Sequence, residues 1–236
     1  MNIKAIGWDI EISKVVSPDE DFMEHRPLGI SCAAARQSDE DSARLFYHGM
    51  PDAPLKGGMT KEELDIMLRY LSTKAMDGYT IVTWNGNFDW DITAEETGEW
   101  EMCSRLALDH VDMMWHFFCV KGYPLGLDAA CKGMGMPGKP EGMSGALAPV
   151  MWAESEESRR KVLDYVTSDA DETLELYERT VRKGSLSWTS KKGRPNFFHH
   201  QGKWITVKEA ATLSVPDTSW MSSPMPRETF YSWLKE

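Results

Sequence analysis

Residues 3–11 read IKAIGWDIE, a short apolar run with the pattern of a buried strand that ends in two acids. Side chains two residues apart on a strand point to the same side, so Asp9 and Glu11 should face one site. Taken alone, two acids at a strand end are more often solvated than functional. These two, however, end an apolar strand that a sheet would bury, which favours their interpretation as candidate metal ligands.

A second acid follows another strand. Residues 79–84 predict a strand, and the polar turn NGN after it leads into Phe88 and Asp89. An ordinary helix cap at Asn85 or Asp89 would give the same pattern, and Asp91 competes with Asp89 as the functional acid. We predict that Asp89 is the site residue.

A third acid is paired with a tyrosine. Residues 165–169 read YVTSD, and on a helix Tyr165 and Asp169 stack on one face because they are four positions apart. Asp169 lies on the apolar stripe of that helix, and a buried carboxylate needs a partner such as a metal. The alternative is a buried tyrosine beside an exposed acid, and Asp164 and Asp171 are competing acids.

The remaining pattern predicts an α/β fold, with a mixed β-sheet flanked by helices. Thr60 and Glu63 form a capping box that begins a helix. Strands are predicted at 3–8, 28–35, 44–48 and 79–84, helices at 60–75, in part of 101–118 and at 155–183, and a Gly/Pro-rich loop at 133–145.

In this order, the three acidic segments resemble the exonuclease motifs of the DnaQ-like DEDD superfamily, whose fold is ribonuclease H-like. The Tyr-x-x-x-Asp form of the third motif is similar to the DEDDy branch, which includes the proofreading domains of family B DNA polymerases. The resemblance covers roughly residues 1–183, and residues 122–139 are similar to the linker before the third motif.

The resemblance implies a 3′–5′ exonuclease, a phosphodiester hydrolase that trims single-stranded DNA to nucleoside monophosphates. It implies that two Mg²⁺ or Mn²⁺ ions are held by Asp9, Glu11, Asp89 and Asp169, and that Tyr165 positions or activates the attacking water. Hard oxygen ligands suit these metals, and two such ions can stabilise both the attacking and the leaving oxygen. An RNA-trimming exonuclease and an inactive nucleic-acid-binding module of the same fold remain alternatives. Replication or repair proteins are candidate partners.

The charge distribution divides the chain at residue 184. The net charge of −11 disfavours a protein that coats duplex nucleic acid. Residues 179–208 contain no acid, so we predict an exonuclease domain at 1–183 and a basic, aromatic extension at 184–236. There the aromatics could stack on bases, or residues 186–199 could be a hairpin packed on the main domain. The predicted nucleic-acid contacts are Asn85, Phe88, Lys139, Lys191, Lys192 and Arg194.

Several classes of protein are disfavoured by what the sequence lacks. It has no apolar run of about 20 residues and no signal-peptide pattern, so we expect a cytoplasmic protein without a membrane segment. The four cysteines form no C-x-x-C pair, which favours buried thiols over a zinc site. The phosphate-binding motif G-x-x-x-x-G-K-[ST] does not occur, which argues against a nucleotide-binding ATPase.

Overall fold

The computed structural model describes residues 3–17, 19–49, 57–138 and 142–234. Within these segments a five-stranded sheet has the order β3-β2-β1-β4-β5, with β1, β4 and β5 parallel and β2 and β3 added antiparallel. The strands are β1 Ala5–Ile12, β2 Ile30–Gln37, β3 Arg44–Tyr47, β4 Thr80–Thr83 and β5 Val111–Asp112. Helices flank the sheet, so the predicted α/β class is confirmed, and the arrangement is consistent with a ribonuclease H-like fold.

The helices cover both faces of the sheet. They are α1 Lys61–Met76, α2 Gly86–Thr97, α3 Trp100–Asp109, α4 Met113–Lys121, α5 Leu127–Gly133, α6 Ala148–Glu154, α7 Glu156–Lys183 and α8 Val207–Ala211, with 3-10 turns at Phe22–His25 and Arg227–Thr229. Helices α1 and α2 pack on one face and α7 on the other. No helix in these segments combines the length and the apolar character that crossing a membrane requires.

Strand β1 divides its side chains between the two faces. Ile6, Trp8 and Ile10 enter the large core beneath α1 and α2. The intervening residues face α7, as strand alternation requires. Gly7 is one of them, because a Cβ built there would lie 2.3 Å from the Ala170 carbonyl oxygen of α7. The absent side chain therefore lets α7 approach the strand that carries Asp9 and Glu11.

The long predicted elements are confirmed. The helix predicted at 60–75 is α1, which begins after Thr60 with the expected capping box, and the helix predicted at 155–183 is α7, capped by Ser155. The strands predicted at 28–35 and 44–48 correspond to β2 and β3, which pair antiparallel.

Other boundaries were predicted wrongly. Strand β1 does not stop at Trp8 but continues to Ile12, so both acids lie inside the strand. The turn after β4 is shorter than predicted, since α2 already begins at Gly86. Residues 101–118 contain parts of two helices, α3 and α4, separated by the short strand β5, which was not predicted.

Residues 185–199 form an antiparallel hairpin, here called the basic hairpin, of strands β6 Ser185–Thr189 and β7 Pro195–His199. Trp188, Phe198 and the following Trp204 are buried in one cluster with side chains of α4, α5 and α7. Of the two interpretations, the packed hairpin is therefore correct for these three rings, which are not available to stack on bases, whereas Phe197 is exposed. The division of the chain at residue 184 stays a prediction.

Three histidines are buried, and the neutral form of each is favoured. Burial lowers the pKa of His110, His116 and His200 to about 4 in each case, and the neighbouring His200 lowers that of His116 further. The neutral His110 ring is fully bonded, because Nδ1 donates to the Ala107 carbonyl at 2.7 Å and Nε2 accepts from the Thr83 hydroxyl at 2.9 Å. The ring of His116 packs edge-on against Phe198 and Trp204.

These histidines should make the fold less stable in acid. The pKa of histidine is about 6.5 in the unfolded chain, so between pH 6.5 and pH 4 the unfolded state binds more protons than the folded state. The free energy of unfolding therefore decreases as the pH is lowered through this range. Between pH 7 and pH 5, the free energy of unfolding should decrease by about 2 kcal/mol less in His116→Phe than in the wild type. Urea denaturation of both proteins at the two pH values measures this, and carboxylate contributions cancel in the comparison. Equal pH dependence in the two proteins would contradict the prediction.

Candidate metal centre

Three carboxylates converge where β1 meets α7. Asp9, Glu11 and Asp169 each offer one oxygen, and these oxygens all lie within 4.8 Å of one another. Glu11 and Asp169 are buried and Asp9 is partly buried. Like charges this close disfavour one another unless a cation or a proton lies between them. A donor set made only of hard oxygens fits Mg²⁺ or Mn²⁺.

Asp89 lies beside this cluster without being part of it. It stands in the first turn of α2 and lines the same cleft as the other three acids. Burial raises its pKa well above the usual range, and the nearby Asp112 and Asp169 raise it further, while backbone hydrogen bonds, including one from Ile10, lower it. Its role as a fourth metal ligand stays a prediction.

The competing acids lie elsewhere. Asp91 points away from the cleft and forms two hydrogen bonds with the guanidinium of Arg26, at 2.8 and 3.0 Å. Asp171 pairs with Arg36 at 2.9 Å, and Asp164 is exposed. None of the three acids lines the cleft.

Tyr165 lies one turn before Asp169 on α7. Its side chain is only 2% exposed, yet it lines the cleft with the acids. The pair therefore projects from one face of the helix, as the four-residue spacing predicts. A phenol hydroxyl can donate one hydrogen bond and accept others, which suits it to orienting a water molecule.

The acids line a cleft of about 440 Å³. Its apolar side carries Trp84 and Phe88, and Asn85 lies between them in sequence. A second cleft, of about 980 Å³, shares these three residues and continues along residues 124–128 to Met225 and Phe230. The two clefts therefore form one continuous path that leads away from the acids.

The turn that carries Asn85 is held tightly. Asn85 adopts a left-handed backbone with φ 71°, and its N–H donates to Asp112 Oδ1 at 3.0 Å. At Gly86 a Cβ would lie 2.2 Å from Thr83 Oγ1, so only glycine fits between strand and helix there. The turn thus fixes where α2 begins, and with it the positions of Phe88 and Asp89.

Sequence reasoning missed the residue that holds this turn. Asp112 ends β5 and caps α4, accepting the Trp115 N–H at 3.0 Å and the Tyr231 hydroxyl at 2.7 Å. Burial raises its pKa, and these hydrogen bonds act against that rise. An acid directly before an apolar helix was the available signal, since such a residue is a typical N-cap.

The basic residues predicted to bind nucleic acid are not at the cleft. Lys191, Lys192 and Arg194 lie at the exposed end of the basic hairpin. The hairpin follows the end of α7, and about 21 Å of helix separates Asp169 from Lys183 at about 1.5 Å per residue. Lys139 lies outside the described residues.

Comparison with known families agrees with the sequence resemblance. Residues 90–197 match a family model described as a predicted 3′-5′ exonuclease related to the exonuclease domain of PolB. The predicted resemblance to DnaQ-like exonucleases is thereby confirmed. The matched segment contains Tyr165 and Asp169 and begins just after Asp89, so the carboxylates of β1 lie outside it. No curated protein matches the chain.

Proposed function

We propose that this protein is a metal-dependent 3′–5′ exonuclease that releases nucleoside monophosphates from single-stranded DNA. The observation that carries the proposal is the convergence of Asp9, Glu11 and Asp169 within 4.8 Å, in one cleft with Asp89 and Tyr165. The family match supports nuclease activity independently of that geometry.

In this proposal the chain's residues have separate tasks. Asp9, Glu11, Asp89 and Asp169 would hold two Mg²⁺ or Mn²⁺ ions, which when bound would stabilise the charge that develops on the attacking and leaving oxygens. Tyr165 holds the attacking water in line through its hydroxyl. Phe88 and Trp84 offer apolar surface to the terminal base, and Asn85 offers it a polar side chain.

The proposal is tested with end-labelled oligonucleotides. In Mg²⁺, single-stranded DNA labelled at its 5′ end should shorten one nucleotide at a time, and excess EDTA should stop the reaction. A 3′-phosphate or a circular strand should block it. Efficient cutting of circular single-stranded DNA, or full activity in EDTA, would contradict the proposal. An RNA strand of the same sequence is tested in parallel, and faster cleavage of RNA would identify an exoribonuclease instead.

We further propose that the basic hairpin binds the strand away from the site. Reversing the charges of Lys191, Lys192 and Arg194 to glutamate should raise KM for long single strands and leave kcat nearly unchanged. The dependence of binding on salt should weaken by about 0.7 in log–log slope for each lost phosphate contact. Steady-state kinetics and binding at several salt concentrations measure both effects.

A matched variant separates local contacts from overall charge. Lys4, Arg69 and Arg105 are exposed and do not line either of the two clefts. Reversing these three changes the net charge by the same amount. If both triple variants raise KM equally, the hairpin has no specific role.

A further inference from the structure

The last described residues of the chain lie against the turn that leads to the candidate metal centre. This segment, residues 225–234, is here called the C-terminal strap. Met225, Thr229 and Phe230 line the second cleft, while Tyr231 is 8% exposed and packs against Trp115 with ring centroids 5.5 Å apart. The strap lies outside the segment that matches the exonuclease family.

Arg227 anchors the strap to the body of the protein. Its guanidinium donates to the carbonyls of Leu213 at 2.7 Å, Cys119 at 2.9 Å and Ser214 at 3.3 Å. Phe230 adds ring contacts with Phe118 and Trp115, with centroids 4.7 and 5.5 Å apart. Contacts within the protein alone therefore hold the strap in place.

The strap holds Asn85, which caps α2, and Asn87, which lies in the first turn of that helix. On one side, the Tyr231 hydroxyl donates to Asp112 Oδ2 at 2.7 Å, and Asp112 Oδ1 accepts the backbone N–H of Asn85 at 3.0 Å. On the other, the Asn87 side-chain oxygen accepts the backbone N–H of Tyr231 and the indole N–H of Trp233, the latter at 3.1 Å. These bonds fix the residues on either side of Gly86, one turn before Asp89.

We propose that Tyr231 is a positioning residue, which through Asp112 and Asn85 holds Asp89 at the metal centre. A group hydrogen-bonded directly to a metal ligand typically contributes about ten- to a hundredfold to metal affinity, and Tyr231 acts more remotely, so we expect an effect at the lower end of that range. A small displacement of a group at the reacting centre also slows catalysis. The proposal rests on the proposed role of Asp89 as a metal ligand.

The test is Tyr231→Phe, which removes the hydroxyl and keeps the ring that packs on Trp115. Mn²⁺ binding, measured by isothermal titration calorimetry on the full chain, should weaken by about tenfold. The Mg²⁺ concentration for half-maximal cleavage should rise with it. A purely structural role would lower the active fraction and leave both quantities unchanged, which would overturn the proposal.

Tyr79→Phe is the matched control, since the Tyr79 hydroxyl also donates to a carboxylate, that of Asp39, at 2.6 Å. Tyr79→Phe should leave Mn²⁺ affinity at the wild-type value; an equal loss in both variants would overturn the proposal.

If Tyr231→Phe does not fold, Trp233→Phe replaces it, because this change removes one hydrogen bond from the strap to Asn87. Trp233→Phe should also weaken Mn²⁺ binding, and an unchanged affinity would overturn the proposal.

A double-mutant cycle tests the route through Asp112. If Tyr231 acts through Asp112, Tyr231→Phe combined with Asp112→Asn should weaken Mn²⁺ binding less than the sum of the two single changes. Additive losses would overturn the route. Failure of this proposal can be distinguished from failure of the proposed nuclease function. If the wild type binds Mn²⁺ but does not cleave nucleic acid, each of these binding measurements can still be made.

Discussion

Replacing Asp169 with asparagine should lower the cleavage rate by about 10³-fold or more, because one carboxylate of the cluster then no longer offsets the charge of the ions that stabilise the transition state. Asparagine has nearly the same shape, so α7 should keep its packing against β1. The measurement is the single-turnover rate with end-labelled single-stranded DNA in saturating Mg²⁺. Asp9→Asn, Glu11→Gln and Asp89→Asn should act in the same direction.

The loss of activity has to be separated from misfolding. Thermal unfolding of Asp169→Asn in EDTA should give a Tm close to that of the wild type, because asparagine keeps the shape of the side chain. A variant that is as stable as the wild type and inactive cannot be explained by misfolding.

Asp91→Asn is the control for the choice of acids. Asp91 is two residues from Asp89 but pairs with Arg26 outside the cleft, so its loss should cost some stability and little activity. If Asp91→Asn were as inactive as Asp89→Asn, the second motif would have been assigned to the wrong acid. A wild-type rate for Asp169→Asn would contradict the metal centre itself.

Local signals in the sequence were enough to predict the long elements. The capping box at Thr60 and Glu63 and the apolar stripe of residues 155–183 gave α1 and α7 almost to the residue. The two-residue spacing of Asp9 and Glu11 and the four-residue spacing of Tyr165 and Asp169 are properties of a strand and a helix. The sequence could therefore predict which side chains share a face.

The packing of the acidic face of β1 against the acidic face of α7 depends on contacts between residues that are distant in sequence. Gly7 reads as an ordinary residue in a strand, and its importance appears only when α7 passes 2.3 Å from where its Cβ would be. Strand β5 has only two residues, too few for an alternating pattern to indicate it. The bond from Tyr231 to Asp112 joins residues 119 positions apart, which no local pattern can predict.

The sequence left two interpretations of the extension open because composition does not reveal burial. Trp188 stands between polar residues on β6, and Phe198 precedes two histidines, which is as typical of a strand with one packed face as of a surface that stacks on bases. Both rings are buried beside Phe117 of α4, while the basic side chains at the end of the hairpin are exposed. The buried rings and the exposed basic residues thus lie in different parts of one hairpin.

Tyr165→Phe should slow the chemical step by about 10²–10⁴-fold, the range expected for a group that positions or exchanges a proton with the attacking water. Metal affinity should hardly change, because in this proposal the hydroxyl contacts the water and the carboxylates contact the ions. The two quantities are measured separately, as a single-turnover rate in saturating Mg²⁺ and as Mn²⁺ affinity by calorimetry. This result would be the reverse of that expected for Tyr231→Phe, where affinity itself falls.

Tyr177→Phe provides the matched control, since it removes a hydroxyl from the same helix without lining the cleft of the acids. It should cleave at the wild-type rate. If Tyr165→Phe also did so, the buried ring would serve packing alone, and orientation of the water would fall to the carboxylates. If Tyr165→Phe instead lost Mn²⁺ binding, the Tyr165 hydroxyl would support metal binding by Asp169, four residues further along α7, and would not act mainly by orienting the water.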